Sequence, residues 1–145
     1  MLMDRNGIAA LIPHEGKMCL LDAVVTWDAK SIICLSVRHY DHENPLRRSD
    51  GTLGAASGIE IAAQAMALHG VLSSGAAGRG RRGFLVGLRN VRLHTIYIDE
   101  TPTPLSVHVH LLMGNSSGAS YSFALEQMGV EILSGRATVM LEREG

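Results

Sequence analysis

Two side chains in this sequence are suited to moving protons. His14 follows a proline near the N-terminus. Glu60 lies between Ile59 and Ile61 in an alanine-rich stretch. An imidazole can take a proton near neutral pH and a carboxylic acid can give one, so the pair needs no cofactor. We predict His14 as the base and Glu60 as the acid, because burial in an apolar helix favours the protonated carboxyl group. The alternatives are a structural histidine and a glutamate on a solvated helix face.

Three more residues near Glu60 are candidates for binding a substrate. Gln64 is four positions further on, so it shares a helix face with Glu60. It could orient the carboxyl group or bind a substrate hydroxyl, and a plain surface glutamine is the alternative. Gly54 and Gly58 lie where the helix begins. Backbone N–H groups there could stabilise negative charge on a carbonyl oxygen, and glycine allows a close approach.

The other histidines are interpreted as structural or solvated. His69 lies one turn beyond Gln64 and is typical of a histidine near the end of a helix. His39 and His42 in a polar loop, and His108 and His110 on one strand face, each lack a convincing third ligand. We therefore predict solvated surface positions for these four and no metal site.

Composition restricts the class of protein. The chain has 145 residues, of which 46% are hydrophobic, and this fits one folded domain over residues 1–145. A formal net charge of -1 argues against a nucleic-acid-binding protein. The two cysteines, Cys19 and Cys34, lie in apolar runs and are expected to be free and buried, with a disulfide as the alternative. No signal peptide and no apolar run of about 18 residues is found, so we expect a cytoplasmic protein that does not bind a membrane.

Hydrophobic periodicity predicts an α+β architecture. The spacing of apolar residues predicts one long helix between two groups of strands. The helix has small residues on nearly every face, which indicates that other structure encloses it. The predicted elements are a short turn or helix at 8–12, a hairpin of strands at 18–27 and 31–37, a helix at 53–72, and strands within 84–98, 105–111, 120–125 and 137–141. Antiparallel strands wrapped around one central helix form the hotdog fold, although periodicity alone supports only the α+β class.

Three segments resemble the hotdog 3-hydroxyacyl-acyl carrier protein dehydratases. The first joins Ile12-Pro13-His14 to MCLLDAV at Met18–Val24, and the second is GIEIAAQAM at Gly58–Met66, where a glutamate precedes a glutamine by four residues. The third is GLRNVRL at Gly87–Leu93, which is similar to the long third strand of the family. Their order and spacing cover nearly the whole chain.

The resemblance implies dehydration of a 3-hydroxyacyl thioester on an acyl carrier protein, giving a trans-2-enoyl thioester without a cofactor. It also implies a homodimer, or a heterodimer with another hotdog subunit. A carrier protein is acidic, so a loop with Arg79, Arg81 and Arg82 could dock it, and a solvated loop is the alternative.

One departure from the family concerns the base. Housekeeping dehydratases carry a catalytic histidine in the loop before the helix, whereas this chain has NPLRRSDG at 44–51. In this respect the sequence resembles the divergent branch associated with aryl polyene synthesis, in which His14 is the natural replacement. Two alternative functions follow: a thioesterase that uses Glu60 to activate water, or a non-catalytic partner subunit of a heteromeric dehydratase.

Overall fold

A computed structural model describes residues 2–12, 19–37, 39, 46, 53–74, 83–98 and 103–141. Seven strands and two helices lie within these ranges. In chain order they are β1 (Met3–Asp4), α1 (Arg5–Leu11), β2 (Ala23–Trp27), β3 (Ser31–Ser36), α2 (Ser57–Ser74), β4 (Gly83–Leu93), β5 (Leu105–Asn115), β6 (Gly118–Gln127) and β7 (Val130–Leu141). No helix in the described part of the chain is both long and apolar enough to cross a membrane.

The strands form one antiparallel sheet in the order β1-β2-β3-β5-β6-β7-β4. The long helix α2 packs on β3, β5, β6 and β7. The predicted α+β hotdog architecture, with one long central helix against an antiparallel sheet, is therefore confirmed.

Side chains that alternate along the strands form the core. Alternate positions of a strand point to opposite faces of a sheet, and those facing α2 are buried. They include Leu105, Val107, Val109, Tyr121, Phe123, Leu125, Leu133, Ala137 and Val139. The helix contributes Ile61, Ala62 and Leu68, all fully buried. Small residues on α2 allow close packing on the sheet, which agrees with the enclosed helix that the composition predicts.

Local hydrogen bonds explain where the elements begin and end. The carboxylate of Asp4 accepts the backbone N–H of Gly7 at 3.0 Å and caps α1. At the β2–β3 turn, Asp28 Oδ1 accepts the N–H groups of Lys30 and Ser31 at 2.8 Å. These bonds hold the Asp28 carboxylate, and they are the main reason that its pKa lies below the usual value.

Two further turns form where the sequence predicts them. Between β5 and β6, Asn115 Oδ1 accepts the N–H of Ser117 at 2.8 Å. Between β6 and β7, Met128 and Gly129 both have positive φ, at 54° and 76°. Two consecutive left-handed residues form the type of turn whose twist suits an antiparallel hairpin.

The boundaries of several predicted elements were wrong. The strand predicted from residue 18 pairs only from Ala23, and the strand predicted to reach residue 98 ends at Leu93. The helix predicted at 53–72 begins at Ser57 and ends at Ser74. The two-residue strand β1 was missed, since a run so short has no periodicity to detect.

Candidate functional site

The segment that leads into α2 pairs with the chain that follows β4. Ala55 N–H donates to the carbonyl of Ile96 at 2.8 Å, and Ile98 N–H donates to the carbonyl of Leu53 at 2.9 Å. Gly54 lies between these two bonds, opposite Tyr97 in an antiparallel bridge. The two residues form a non-hydrogen-bonded pair. The N–H and C=O of Gly54 therefore point away from this pairing. Its predicted role as a donor to a substrate carbonyl oxygen stays a prediction.

The first turn of α2 uses its own N–H groups. Those of Ser57, Gly58 and Ile59 donate to the carbonyls three residues earlier, at 2.9, 2.9 and 3.1 Å. The N–H of Gly58, a predicted substrate-binding group, is thus already bonded within the chain. A Cβ at Gly58 would lie 2.5 Å from Leu133 Cδ2 and 3.0 Å from Leu125 Cδ2. Gly58 therefore has a packing role, because it brings the start of α2 onto β6 and β7.

Glu60 lies in the first turn of α2 and is only partly buried in the single chain. Its neighbour Ile61 is fully buried, so Glu60 stands at the boundary between the core and the surface. A carboxylate in the first turn also interacts favourably with the helix dipole. Full enclosure of the Glu60 carboxyl group would require a second surface over this part of α2.

Gln64 is buried, with only 2% of its surface exposed, rather than on the surface of the helix. Its Oε1 accepts the backbone N–H of Leu20 at 2.8 Å. This bond fixes the chain directly after residues 13–18 to α2, one turn beyond Glu60. Gln64 therefore has a structural contact, and its predicted contact with a substrate stays a prediction.

Other polar contacts hold the same segment in place. Arg5 donates to the carbonyl of Cys19 at 2.6 Å, and its guanidinium lies 4.0 Å from the carboxylate of Asp22. The hydroxyl of Ser36 donates to the carbonyl of Leu20 at 2.6 Å. The sequence analysis missed Arg5 and Ser36, because their partners are backbone carbonyls distant in sequence. Arg5 of α1, Ser36 of β3 and Gln64 of α2 thus connect the chain around Cys19 and Leu20 to three different elements.

Several predicted residues lie outside the described part of the chain. These are the candidate base His14, the docking residues Arg79, Arg81 and Arg82, and His42. Their proposed roles remain predictions.

His69 was interpreted as a histidine near a helix end, and the structure adds a buried hydrogen-bond network. Its exposed fraction is 1%. Its Nε2 lies 2.9 Å from the carbonyl of Asp28, and its Nδ1 lies 2.9 Å from the hydroxyl of Tyr121. The ring of Tyr121 meets the imidazole edge-on, with centroids 5.5 Å apart. In the sequence, this network was indicated by Tyr121, which alternates with apolar residues on the inward face of its strand. A buried tyrosine hydroxyl needs a hydrogen-bond partner.

The protonation state of this network follows from burial. A carbonyl only accepts hydrogen bonds, so His69 Nε2 carries a hydrogen and donates it to Asp28. Burial lowers the pKa of His69 and thus favours the neutral ring, so Nδ1 is an acceptor. Tyr121 consequently donates its hydrogen to Nδ1. Burial raises the pKa of Tyr121 to about 12, so its hydroxyl remains protonated.

Neither the cysteines nor the other described histidines form a metal site. Among the described residues, no three histidine, cysteine, aspartate or glutamate side chains are close enough to hold a metal ion. Cys19 and Cys34 are free and buried, and burial raises the pKa of Cys34 to about 12. His39 is fully buried, so the predicted solvated position was wrong for this residue. His108 is partly exposed and contacts Glu126 at 3.3 Å.

Residues 6–144 match the ApeP-like family, which is described as ApeP dehydratase. This chain belongs to the ApeP-like dehydratases. The match covers almost the whole chain, and it confirms the resemblance drawn from the proline–histidine, glutamate–glutamine and long-strand segments. Among curated proteins, none matches this ApeP-like chain.

Solved structures show the same fold for this ApeP-like chain. The dehydratase heterocomplex ApeI:P from Xenorhabdus doucetiae aligns with a TM-score of 0.83 at 22% identity, over 94% of this chain and 91% of that one. An HP0420 homologue from Helicobacter felis aligns with a TM-score of 0.65 at 10% identity, over 100% and 95%. The thioesterase HI1161 from Haemophilus influenzae aligns with a TM-score of 0.59 at 12% identity, over 83% and 77%. These identities establish the fold alone.

Proposed function

We propose that this chain takes part in the dehydration of 3-hydroxyacyl thioesters on acyl carrier protein, as one subunit of a two-hotdog assembly. The observation that carries the proposal is the contact between Gln64 and Leu20. It attaches the chain next to the His14 segment to the helix that bears Glu60. Membership of a dehydratase family supports the general reaction class. A cytoplasmic location is part of the proposal.

The proposed reaction needs two proton transfers. His14 takes the proton from the carbon next to the thioester carbonyl, and the electron pair forms the new carbon–carbon double bond. The carbon–oxygen bond at C3 breaks, and Glu60 protonates the departing hydroxyl, which leaves as water. Return of the proton from His14 to Glu60 restores both groups. The N–H of Gly54 is the proposed donor to the thioester oxygen.

An assembly of two subunits is proposed from the exposed apolar side chains of β4. This strand forms one end of the sheet. On β4, Leu85, Val86 and Leu88 are 37%, 59% and 42% exposed. An exposed, apolar edge strand is a favourable surface for pairing with another sheet. A second hotdog subunit would cover these residues and could also close over Glu60. The heterocomplex with ApeI supports a different subunit as the partner.

Turnover of a 3-hydroxyacyl-carrier protein tests the proposal. The wild type, His14→Ala and Glu60→Gln are each assayed alone and with a co-expressed hotdog partner. The ultraviolet absorbance of the enoyl product measures the rate. We expect each variant to lose about 10²–10⁴-fold in rate while remaining folded. The control Glu131→Gln alters an exposed carboxylate that pairs with His94 and has no role in the proposed reaction, so it should keep full activity. Unchanged turnover in either site variant would remove that residue from the mechanism.

The same assay separates the two alternative functions. Thioesterase HI1161 shares the fold, and hydrolysis would release a free thiol without a new double bond. A non-catalytic partner subunit would show wild-type turnover of the assembly in both site variants. The docking role of Arg79, Arg81 and Arg82 is tested by changing all three to glutamine. We expect a higher KM for the carrier-protein substrate and no change in KM for a pantetheine thioester.

A further inference from the structure

A cavity of about 220 Å³ lies beside the C-terminal half of α2, between that helix and strands β5, β6 and β7. Its wall is mostly apolar and includes Met66, Ala67, Leu111 and Val139. Glu60 does not line it. An apolar cavity of about 150 Å³ admits a molecule the size of benzene, so this cavity has room for a small ring or a short chain.

Four polar side chains line the wall: His69, Ser73, Tyr121 and Asn115. Asn115 is exposed, and its Oδ1 accepts the N–H groups of Ser117 and Gly118 at 2.8 and 3.2 Å. The hydrogens of the other three side chains are already donated within the protein. Nε2 of His69 donates to the carbonyl of Asp28, and the hydroxyl of Tyr121 donates to Nδ1 of His69. The hydroxyl of Ser73 donates to the carbonyl of His69 at 2.6 Å.

The hydroxyl oxygens of Tyr121 and Ser73 therefore have lone pairs but no hydrogen left to donate. A hydroxyl has one hydrogen and two lone pairs, so each oxygen can still accept a bond. The four polar side chains carry no net charge when His69 is neutral, and an ionised guest would lose its hydration in an apolar cavity without a counterion. Beside Tyr121, which is buried, the favoured guest group is consequently neutral, largely apolar and a hydrogen-bond donor.

We propose that this cavity is a binding site for a small neutral group that carries a hydroxyl, held by donation to the oxygen of Tyr121 or Ser73. The site is separate from the proposed acid–base pair. Glu60 and Gly70 are ten residues apart on α2, and this corresponds to about 15 Å along the helix.

A matched pair of probes tests this proposal on the full chain. Cyclohexanol and cyclohexanone have nearly the same size and are both neutral, but only the alcohol can donate a hydrogen bond. Binding is followed by two-dimensional NMR titration of backbone amides. We expect cyclohexanol to bind about tenfold more tightly than cyclohexanone and to shift the amides of α2 around Gly70. Equal affinity for the two probes, or no binding of either, would overturn the proposal.

Two variants keep the test independent of folding defects. Gly70 lines the cavity, and a Cβ there would meet nothing within 4 Å, so this position accepts a larger side chain. Gly70→Leu should abolish binding of both probes, and the control Gly70→Ala should retain binding of cyclohexanol. Binding that is unaffected by Gly70→Leu would place the alcohol elsewhere and contradict the proposal.

The hydroxyl group could belong to a free small molecule or to the far end of an acyl chain, and the second source depends on the proposed function. Competition separates them. Pantetheine thioesters of ω-hydroxyacyl chains with four and ten carbons are added to the cyclohexanol complex. Displacement by the longer chain alone identifies the acyl end, and displacement by neither identifies a free molecule. The cyclohexanol titration does not involve turnover, so its failure is distinct from failure of the dehydratase proposal.

Discussion

The side-chain oxygen of Gln64 accepts the backbone N–H of Leu20 at 2.8 Å, although the two residues are 44 positions apart in the chain. Both residues are buried. The contact attaches the extended segment before β2 to the middle of α2. The side-chain amide of Gln64 is therefore one of three side-chain contacts that hold the chain following residues 13–18, together with those of Arg5 and Ser36.

Gln64→Leu is expected to destabilise the protein by about 1–3 kcal/mol. The substitution leaves the buried N–H of Leu20 without this acceptor, and an unsatisfied buried donor keeps its full desolvation cost. Urea unfolding of wild type and variant measures the difference. The control Glu60→Gln changes a partly exposed residue on the same helix and should stay within about 0.5 kcal/mol of wild type. A Gln64→Leu protein as stable as wild type would show that the contact has no energetic weight.

Two glycines of α2 are expected to respond in opposite directions to alanine. Gly58→Ala places a methyl group against Leu133 and Leu125, and such overpacking costs about 1–3 kcal/mol. At Gly70 the new methyl group meets nothing within 4 Å. Alanine there should stabilise the helix by up to about 1 kcal/mol. Thermal unfolding of both variants provides the comparison, and stabilisation by Gly58→Ala would contradict the packing role of that glycine.

Stability is expected to fall in mild acid because of His69. Burial lowers its pKa in the folded protein, so the unfolded chain binds a proton more readily. The contribution is fully present above the ordinary histidine pKa of 6.5, and it is lost as the pH falls below that value towards the folded pKa. Chemical unfolding between pH 5 and pH 8 measures the slope. His69→Gln should flatten the slope in this window, and an unchanged slope would assign it to another group.

A charge on the edge strand is expected to weaken association of subunits. Val86→Glu places a carboxylate at an exposed position of β4, where a partner would have to bury it. The control Val130→Glu makes the same change at an equally exposed valine, 64% against 59%, at the start of β7. Analytical ultracentrifugation should show dissociation of the Val86 variant only. Equal association of both variants would exclude β4 as the interface.

Periodicity and turn chemistry in the sequence were sufficient for most of the architecture. The alternation of Leu105, Val107 and Val109 determined which face of β5 is buried, and the burial in the structure follows it. Asp28 and Gly129 marked turns by local rules that need no distant partner. The combination of proline–histidine, glutamate–glutamine and long-strand segments was enough for the family. These features are local, so they can be read along the chain.

The tertiary structure alone decided the role of individual polar residues. Gln64 could have been on the surface or in the site, and only the position of Leu20 showed that it is a buried acceptor. The partners of His69 lie on a different turn and a different strand, 41 and 52 positions away. The physical reason is that the role of a buried polar atom depends on its hydrogen-bond partner. For Gln64 and His69 this partner is distant in sequence, whereas periodicity shows only which side of a helix or strand is apolar.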